Sequence, residues 1–221
     1  MTVIAAYADL QNAVTEYLAR DQDTTLIARI PTFIQLAEAK FNRMLFCRQM
    51  EQRSTTLTVP TATEPQYIAL PADFQSMRRV RLMSSGATAI TTARLDYKSP
   101  AQLDEYRTSI GDTVNQPLFF TIFGNELELC PTPDQIYTVE MVYRQNIPAL
   151  ALNATNWLLT LAPDLYLYGA LLESAPYIKE DSRIQTWGLG LNAALGDLNN
   201  LGLTSAFNAG PLTVRVSGQV I

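Results

Sequence analysis

The sequence has no histidine among its 221 residues. That absence removes Ser-His-Asp and Cys-His nucleophilic centres, His-ligated zinc and the usual general base near neutral pH. Cysteine is almost as scarce. Cys47 and Cys130 stand far apart, which gives neither metal-ligand spacing nor a disulfide framework and points to folding in a reducing compartment. Charge is thin as well: 17% of the residues are charged and 48% hydrophobic. A charged share below the usual quarter or so suits a surface partly covered by partners, and so hydrophobic a chain is not a disordered one. The net charge of −5 argues against a dedicated nucleic-acid binder, whose affinity rests on many Lys and Arg contacts to phosphate. Long apolar runs are missing too. No window approaches the ~18 apolar residues of a membrane span, and Met1–Asp9 lacks a basic and then apolar leader pattern. The expectation is a soluble, non-enzymatic protein made in the cytoplasm, with no cofactor, no metal and no membrane partner.

What is present reads as an α+β chain in four parts. Residues 1–53 carry helices. Leu10, Val14, Tyr17 and Leu18 form an apolar stripe over Tyr7–Arg20, and the polar run 21–25 breaks it. A second helix has Pro31 in its first turn; Phe33, Ile34, Ala37, Phe41, Met44 and Leu45 mark its buried face, and Glu38, Lys40, Asn42 and Arg43 its wet one. Residues 54–150 read as a mostly antiparallel β insert. Short strands lie at 54–59, 67–70 and 77–83. Ser99-Pro-Ala-Gln102 opens a short helix to about Tyr106. Gly124-Asn125 makes a two-residue hairpin between strands 119–123 and 126–130, and another strand spans 137–144. Residues 151–202 return to helix, with one stripe through Leu165, Tyr168, Leu171 and Leu172 that Pro176 bends or ends. A last helix carries Ile184, Trp187, Leu191, Leu195 and Leu198. Neither flanking pair can bury its stripe alone, so the N- and C-terminal helices are expected to close into one antiparallel bundle.

Residues 203–221 form an extended tail. Leu212, Thr213, Val214, Arg215 and Val216 alternate like a strand with nothing after it to pair with. Nineteen extended residues reach about 60 Å, more than the roughly 45 Å diameter of a compact chain of this size. The tail can therefore cross to another subunit; the plainer alternative is a frayed terminus.

Candidate chemistry is sparse. No Gly-x-Ser-x-Gly, Walker A or Cys-x-x-Cys motif occurs. Gly188-Leu-Gly190-Leu-Asn-Ala193 matches a dinucleotide fingerprint by letter only, because a helix precedes it and Asn208 stands where the acid belongs; small residues that let helices approach are the better reading. Glu126 and Glu128 share a strand face and can be a cation or acid–base pair, but alternating Leu127 and Leu129 make that face the solvated side of a half-buried strand. Cys47 lies near Arg43 and Arg48, which would lower a thiol pKa. With no acid–base partner in sight it reads as inert and largely buried, as does Cys130.

Charge is unevenly placed. Residues 76–107 hold six Lys/Arg against three Asp/Glu, and residues 121–200 hold three against nine. Arg79 and Arg81 project from one strand face, opposite Val80 and Leu82. They read as a solvated, edge-blocking face or as an ionic contact to an acidic partner subunit, with DNA the weaker option.

Five stretches together resemble the head-to-tail adaptor (head completion, or connector) proteins of tailed bacteriophages. They are residues 30–44 (IPTFIQLAEAKFNRM), 67–82 (YIALPADFQSMRRVRL), 95–106 (LDYKSPAQLDEY), 120–139 (FTIFGNELELCPTPDQIYTV) and 156–182 (NWLLTLAPDLYLYGALLESAPYIKEDS). The resemblance implies a helical bundle with a β insert, repeated as a homo-oligomeric ring, commonly of twelve copies, under the portal vertex of the virion. Such a ring joins portal protein to a tail or lower neck protein and continues the channel through which double-stranded DNA passes without sequence-specific binding. An acidic helical portion lining the bore would repel DNA and let it slide. The C-terminal segment of such adaptors often embeds in the portal, where another chain supplies the partner strand. The neighbouring readings are a lower neck, stopper or tail tubular ring subunit. From other classes come a carboxylate-dependent enzyme using Glu126 and Glu128, and an acidic regulator that binds another protein in the infected cell.

Overall fold

The computed structural model describes residues 3–59, 61, 63–85, 90–111, 113–179 and 182–206; the Leu212–Val216 pattern lies outside them. The chain divides into two compact units. One is built from the segments up to Gln49 and from Ile147 onward, the other from Met50–Asn146.

In the helical unit, α1 (Tyr7–Leu18) buries Leu10, Ala13, Val14 and Leu18. Tyr17 is not in the stripe, being 37% exposed. Asp9 Oδ2 ties down the start by accepting from the backbone N–H groups of Ala5 and the N-cap Ala6 at 3.2 and 3.0 Å, the second of which has no partner within the helix. The polar run after α1 holds a single turn, α2 (Thr24–Ile27). Asp23 caps it through the N–H groups of Thr25 and Leu26, and Leu26 is its buried residue. That turn went unread because its cap resembles a loop signal, since Asp serves both.

Next, α3 (Ile30–Met44) carries Pro31 in its first turn and buries Phe33, Ile34, Ala37 and Phe41. After the β unit come α5 (Trp157–Leu161), capped by Asn156, then α6 (Pro163–Ile178) and α7 (Ile184–Ala206). Helix α6 packs against α1, α3, α5 and α7. Buried residues therefore run almost round its circumference, including Leu165, Tyr166, Leu167, Ala170 and Leu171. Pro176 does not end it at once: the helix runs on to Ile178 and stops where Lys179 turns left-handed at φ 74°. So close to the C-terminus, the missing N–H costs only one late bond.

Gly169 sits where α6 meets α3. A Cβ there would lie 2.5 Å from Phe41 Cζ and 3.1 Å from Ala37 Cβ. Phe41 is fully buried and set edge-on to Tyr166, with ring centroids 5.3 Å apart, so its ring has nowhere to move. Gly169→Ala is expected to destabilise the helical unit by about 1–3 kcal/mol through overpacking, despite the better helix propensity of alanine. Urea unfolding followed by tryptophan fluorescence reads this, since Trp157 and Trp187, both in the helical unit, are the chain's two tryptophans.

The second unit starts with β1 (Glu51–Leu57), β2 (Tyr67–Ala69), β3 (Phe74–Ser85), β4 (Ile90–Arg94), β5 (Asp96–Tyr97) and α4 (Pro100–Ile110). It is completed by β6 (Phe119–Phe123), β7 (Glu126–Cys130) and β8 (Thr138–Gln145). These strands make two four-stranded sheets, ordered β1-β8-β3-β4 and β2-β7-β6-β5. Among these strands the pairings are antiparallel except β5 with β6. The fold class is thus α+β, with two mostly antiparallel sheets.

The sheets meet face to face. Val80, Leu82, Val139, Met141 and Tyr143 of the first share a core with Ile68, Phe120, Leu127 and Leu129 of the second. Gly124 takes φ 60° at the first central position of the β6–β7 turn, where a two-residue II′ hairpin favours glycine.

Helix α4 covers the other side of the second sheet. It stacks Tyr106 edge-on against Phe119, with ring centroids 4.9 Å apart. Its N-terminus is the expected capping box of Ser99 and Gln102. It runs past Tyr106 to Ile110, where Gly111 at φ 68° closes it. Unit two is therefore layered: the first sheet, the second sheet, then α4.

Candidate functional site

The outer face of the first sheet, turned away from the shared core, holds the expected basic pair. Strand alternation sends Val80 and Leu82 inward, 0% and 1% exposed, and Arg79 and Arg81 outward. An irregularity in the β3–β8 register between Met77 and Arg79 sets Arg78 on the same side, as an extra residue in one strand does. Across the middle strand, β1 contributes Arg53, and β4 at the far edge contributes Arg94 directly opposite Arg81.

Two glutamates lie among these arginines. Glu140 of β8 is 10% exposed; it accepts from Arg53 Nε at 2.7 Å and from Arg79 Nη2 at 3.3 Å, and faces Arg81 across the pair. Glu51 receives Arg78 at 3.0 Å. The bond from Arg53 holds the Glu140 carboxyl below the usual glutamate range. The charges of Arg53, Arg79 and Arg81 add to this, and burial opposes it. Arg79 and Arg81 are thus not a bare solvated pair: with Arg53 and Arg78 they stand around Glu51 and Glu140, and Arg94 beside them pairs with Asp96 at 3.7 Å. Arg53 and Glu140 stand 87 residues apart, so nothing local in the sequence pointed to the acid.

The reading of Glu126 and Glu128 as one solvated side needs correction. Glu126 is exposed, but Glu128 is 9% exposed and bonds Arg107 of α4 at 2.7 Å. The helix lies over that strand face, so parity alone misjudged it. A carboxylate tied to a guanidinium under a helix has neither the exposure nor the freedom of an acid–base catalyst.

Glu38 is also corrected. Placed on the wet face of its helix by periodicity, it is 6% exposed. Its Oε1 accepts from the Leu150 N–H at 2.9 Å and from the Tyr166 hydroxyl at 3.1 Å. Asn156 Nδ2 donates to the same hydroxyl at 2.7 Å and to the Pro148 carbonyl at 2.8 Å. Burial pushes the Glu38 carboxyl up despite the two bonds that favour its charge. These groups tie the 147–156 segment to α3 and α6; they form a support, not a reaction centre.

Cys47 and Cys130 are both buried. The Gly188–Ala193 stretch lies inside α7 with no strand before it. There Gly190 admits the Tyr168 ring, 2.9 Å from where a Cβ would stand. Among the described residues, no group of three or more His, Cys, Asp and Glu could hold a metal ion, and no helix is long and apolar enough to cross a membrane.

Two comparisons bear on identity. A family model described as SU10 adaptor protein matches residues 5–215. No curated protein matches the chain. The match runs through both units. The chain belongs to the SU10 adaptor protein family, structural adaptors of bacteriophage virions.

Proposed function

We propose that this chain is a head-to-tail adaptor subunit of the phage neck. Copies of it, commonly twelve in such adaptors, form a ring under the portal. The ring connects the DNA-filled head to a tail or lower neck protein and continues the DNA channel. The helices on either side of the β unit act as one antiparallel bundle, and DNA passes without sequence-specific contact. The observation that carries this reading is the family match across residues 5–215, which runs through both compact units. It also reaches into the Leu212, Thr213, Val214, Arg215 and Val216 pattern, which supports a tail that belongs to the working protein.

In this reading that pattern is a portal-docking arm, adding a strand to an edge supplied by another chain. Deleting Leu212–Ile221 tests it in particles whose only source of the protein is the shortened chain. The expected result is a folded, soluble protein that is missing from the particles and does not co-purify with portal. Incorporation at the wild-type level would overturn the arm. Finding the full-length chain outside the neck by imaging would overturn the adaptor reading itself.

A further inference from the structure

Unit two is electrically two-sided. Its outer sheet face presents Arg53, Arg78, Arg79 and Arg81 around Glu51 and Glu140, with Arg94 at the edge paired to Asp96 at 3.7 Å, in a chain whose net charge is −5. Arg78 and Arg94 are 64% and 79% exposed. Two layers away, the solvent side of α4 presents Asp104 and Glu105, both exposed. Exposed Glu126 lies on the sheet face that α4 covers. The basic residue nearest that side, Arg107, is already held by Glu128, and Lys98 sits over the Phe119 ring at 4.4 Å.

We propose that the arginine face of the β1-β8-β3-β4 sheet docks onto the α4 side of a second copy of this chain. The inference rests on the ring reading and names the surfaces through which neighbouring copies meet.

Three considerations favour a second copy over other anionic partners. The complementary charge is present in the same chain, on the opposite layer of the same unit, which is what a head-to-tail contact requires; such a contact closes into a ring when its rotation allows. The basic face is also interleaved with Glu51 and Glu140. That pattern fits a protein surface with its own dispersed charges and weakens the uniform attraction that a phosphate backbone exploits. Finally, Arg53 and Arg79 are braced by Glu140, Arg78 by Glu51 and Arg94 by Asp96, so part of their ordering is complete before docking. An interface of pre-positioned guanidinium groups loses less side-chain freedom on binding.

The test reverses each side separately in the full-length chain, as Arg78→Glu with Arg94→Glu and as Asp104→Lys with Glu105→Lys. It counts copies per purified particle by quantitative mass spectrometry. Each reversal alone is expected to lower the count at least tenfold, with circular dichroism unchanged. Co-expressing the two reversed chains is expected to restore it to within twofold, because each then meets its complement on the other. A single chain carrying all four substitutions should do the same.

Normal incorporation of either reversed chain would overturn the proposal and leave the ring reading intact. So would failure of both rescues. If reversing the arginines instead weakens binding to a short DNA duplex, and neither rescue restores incorporation, the face is a nucleic-acid surface and the proposal falls. A wild-type count of one or two copies per particle would refute the ring itself.

Discussion

Glu128→Ala is expected to cost the β unit about 3 kcal/mol, the low end of the range for removing one partner of a buried ion pair. Glu128 and Arg107 have side chains 11% and 22% exposed and meet at 2.7 Å. Removing the carboxylate takes away the main counter-charge of a guanidinium that burial already disfavours and that Glu128 stabilises. Arg107 Nη2 keeps the Leu129 carbonyl at 3.5 Å, a long bond to a neutral acceptor. The loss should also loosen α4, since this pair and the Tyr106–Phe119 contact join it to the second sheet.

In a unit of this size the change corresponds to a fall in midpoint of roughly 15 °C. It should appear in far-ultraviolet circular dichroism and in amide exchange along β6 and β7, while tryptophan fluorescence stays silent, since both tryptophans lie in the helical unit. The double replacement Arg107→Met with Glu128→Leu is expected to recover most of the loss, because an apolar pair avoids the desolvation that the ion pair offsets. If Glu128→Ala instead left stability untouched, the burial argument would be wrong.

Glu38→Ala is expected to destabilise the helical unit by a similar amount, about 3 kcal/mol, by leaving the Leu150 N–H and the Tyr166 hydroxyl without their acceptor. Glu38→Gln should cost much less, since its amide oxygen can accept both bonds. The two variants separate hydrogen bonding from charge, and pH separates them further. The folded Glu38 carboxyl is raised above its usual value of 4.5, so the folded state binds its proton more tightly than the unfolded state. Its contribution is therefore fully present below that value and is lost as pH rises through the folded pKa.

Glu140 behaves in the opposite sense. Its pKa is lowered, so its contribution is present above the usual glutamate value and is lost as pH falls through the folded pKa. Glu38 by itself should thus weaken the helical unit on going from acid towards neutrality, while the lowered Asp23 carboxyl of the same unit acts in the opposite sense. The difference in slope between the wild-type chain and Glu38→Gln, read by tryptophan fluorescence in urea, isolates the Glu38 part. An unchanged slope in Glu38→Gln would assign the effect to other groups.

Much of the architecture was legible from residue order alone. Strands β6 and β7 lie at the residues that alternation and Gly124-Asn125 indicated, because hairpin turns are specified by one or two residues with special backbone freedom. The N-terminus of α4 followed from Ser99, Pro100 and Gln102, a purely local set. The ends of elements were less legible. Helix α4 runs four residues beyond Tyr106, and β3 starts at Phe74 rather than Met77, since ends depend on what neighbouring elements cover.

The candidate site divides along the same line. Alternation was enough to set Arg79 and Arg81 opposite buried Val80 and Leu82. It said nothing of Arg53 and Glu140, which come from strands far apart in the chain, nor of Arg94, whose position opposite Arg81 follows from pairing register. The three glutamates most misjudged or missed, Glu38, Glu128 and Glu140, share one cause. Each occupies a position that periodicity makes polar and therefore wet; Glu38 and Glu128 are covered by elements that arrive from elsewhere, and Glu140 is closed in by arginines of the flanking strands.

The hairpin and capping signals and the hydrophobic periodicities determined by themselves that this is an α+β protein, and the absence of histidine that it has no imidazole chemistry. Only the tertiary structure decided which charges are exposed and which are paired, and that one unit carries opposite charge on opposite layers. Periodicity and turn chemistry act within a few residues and survive in the sequence, whereas the environment of a charge is set by whatever the fold brings beside it.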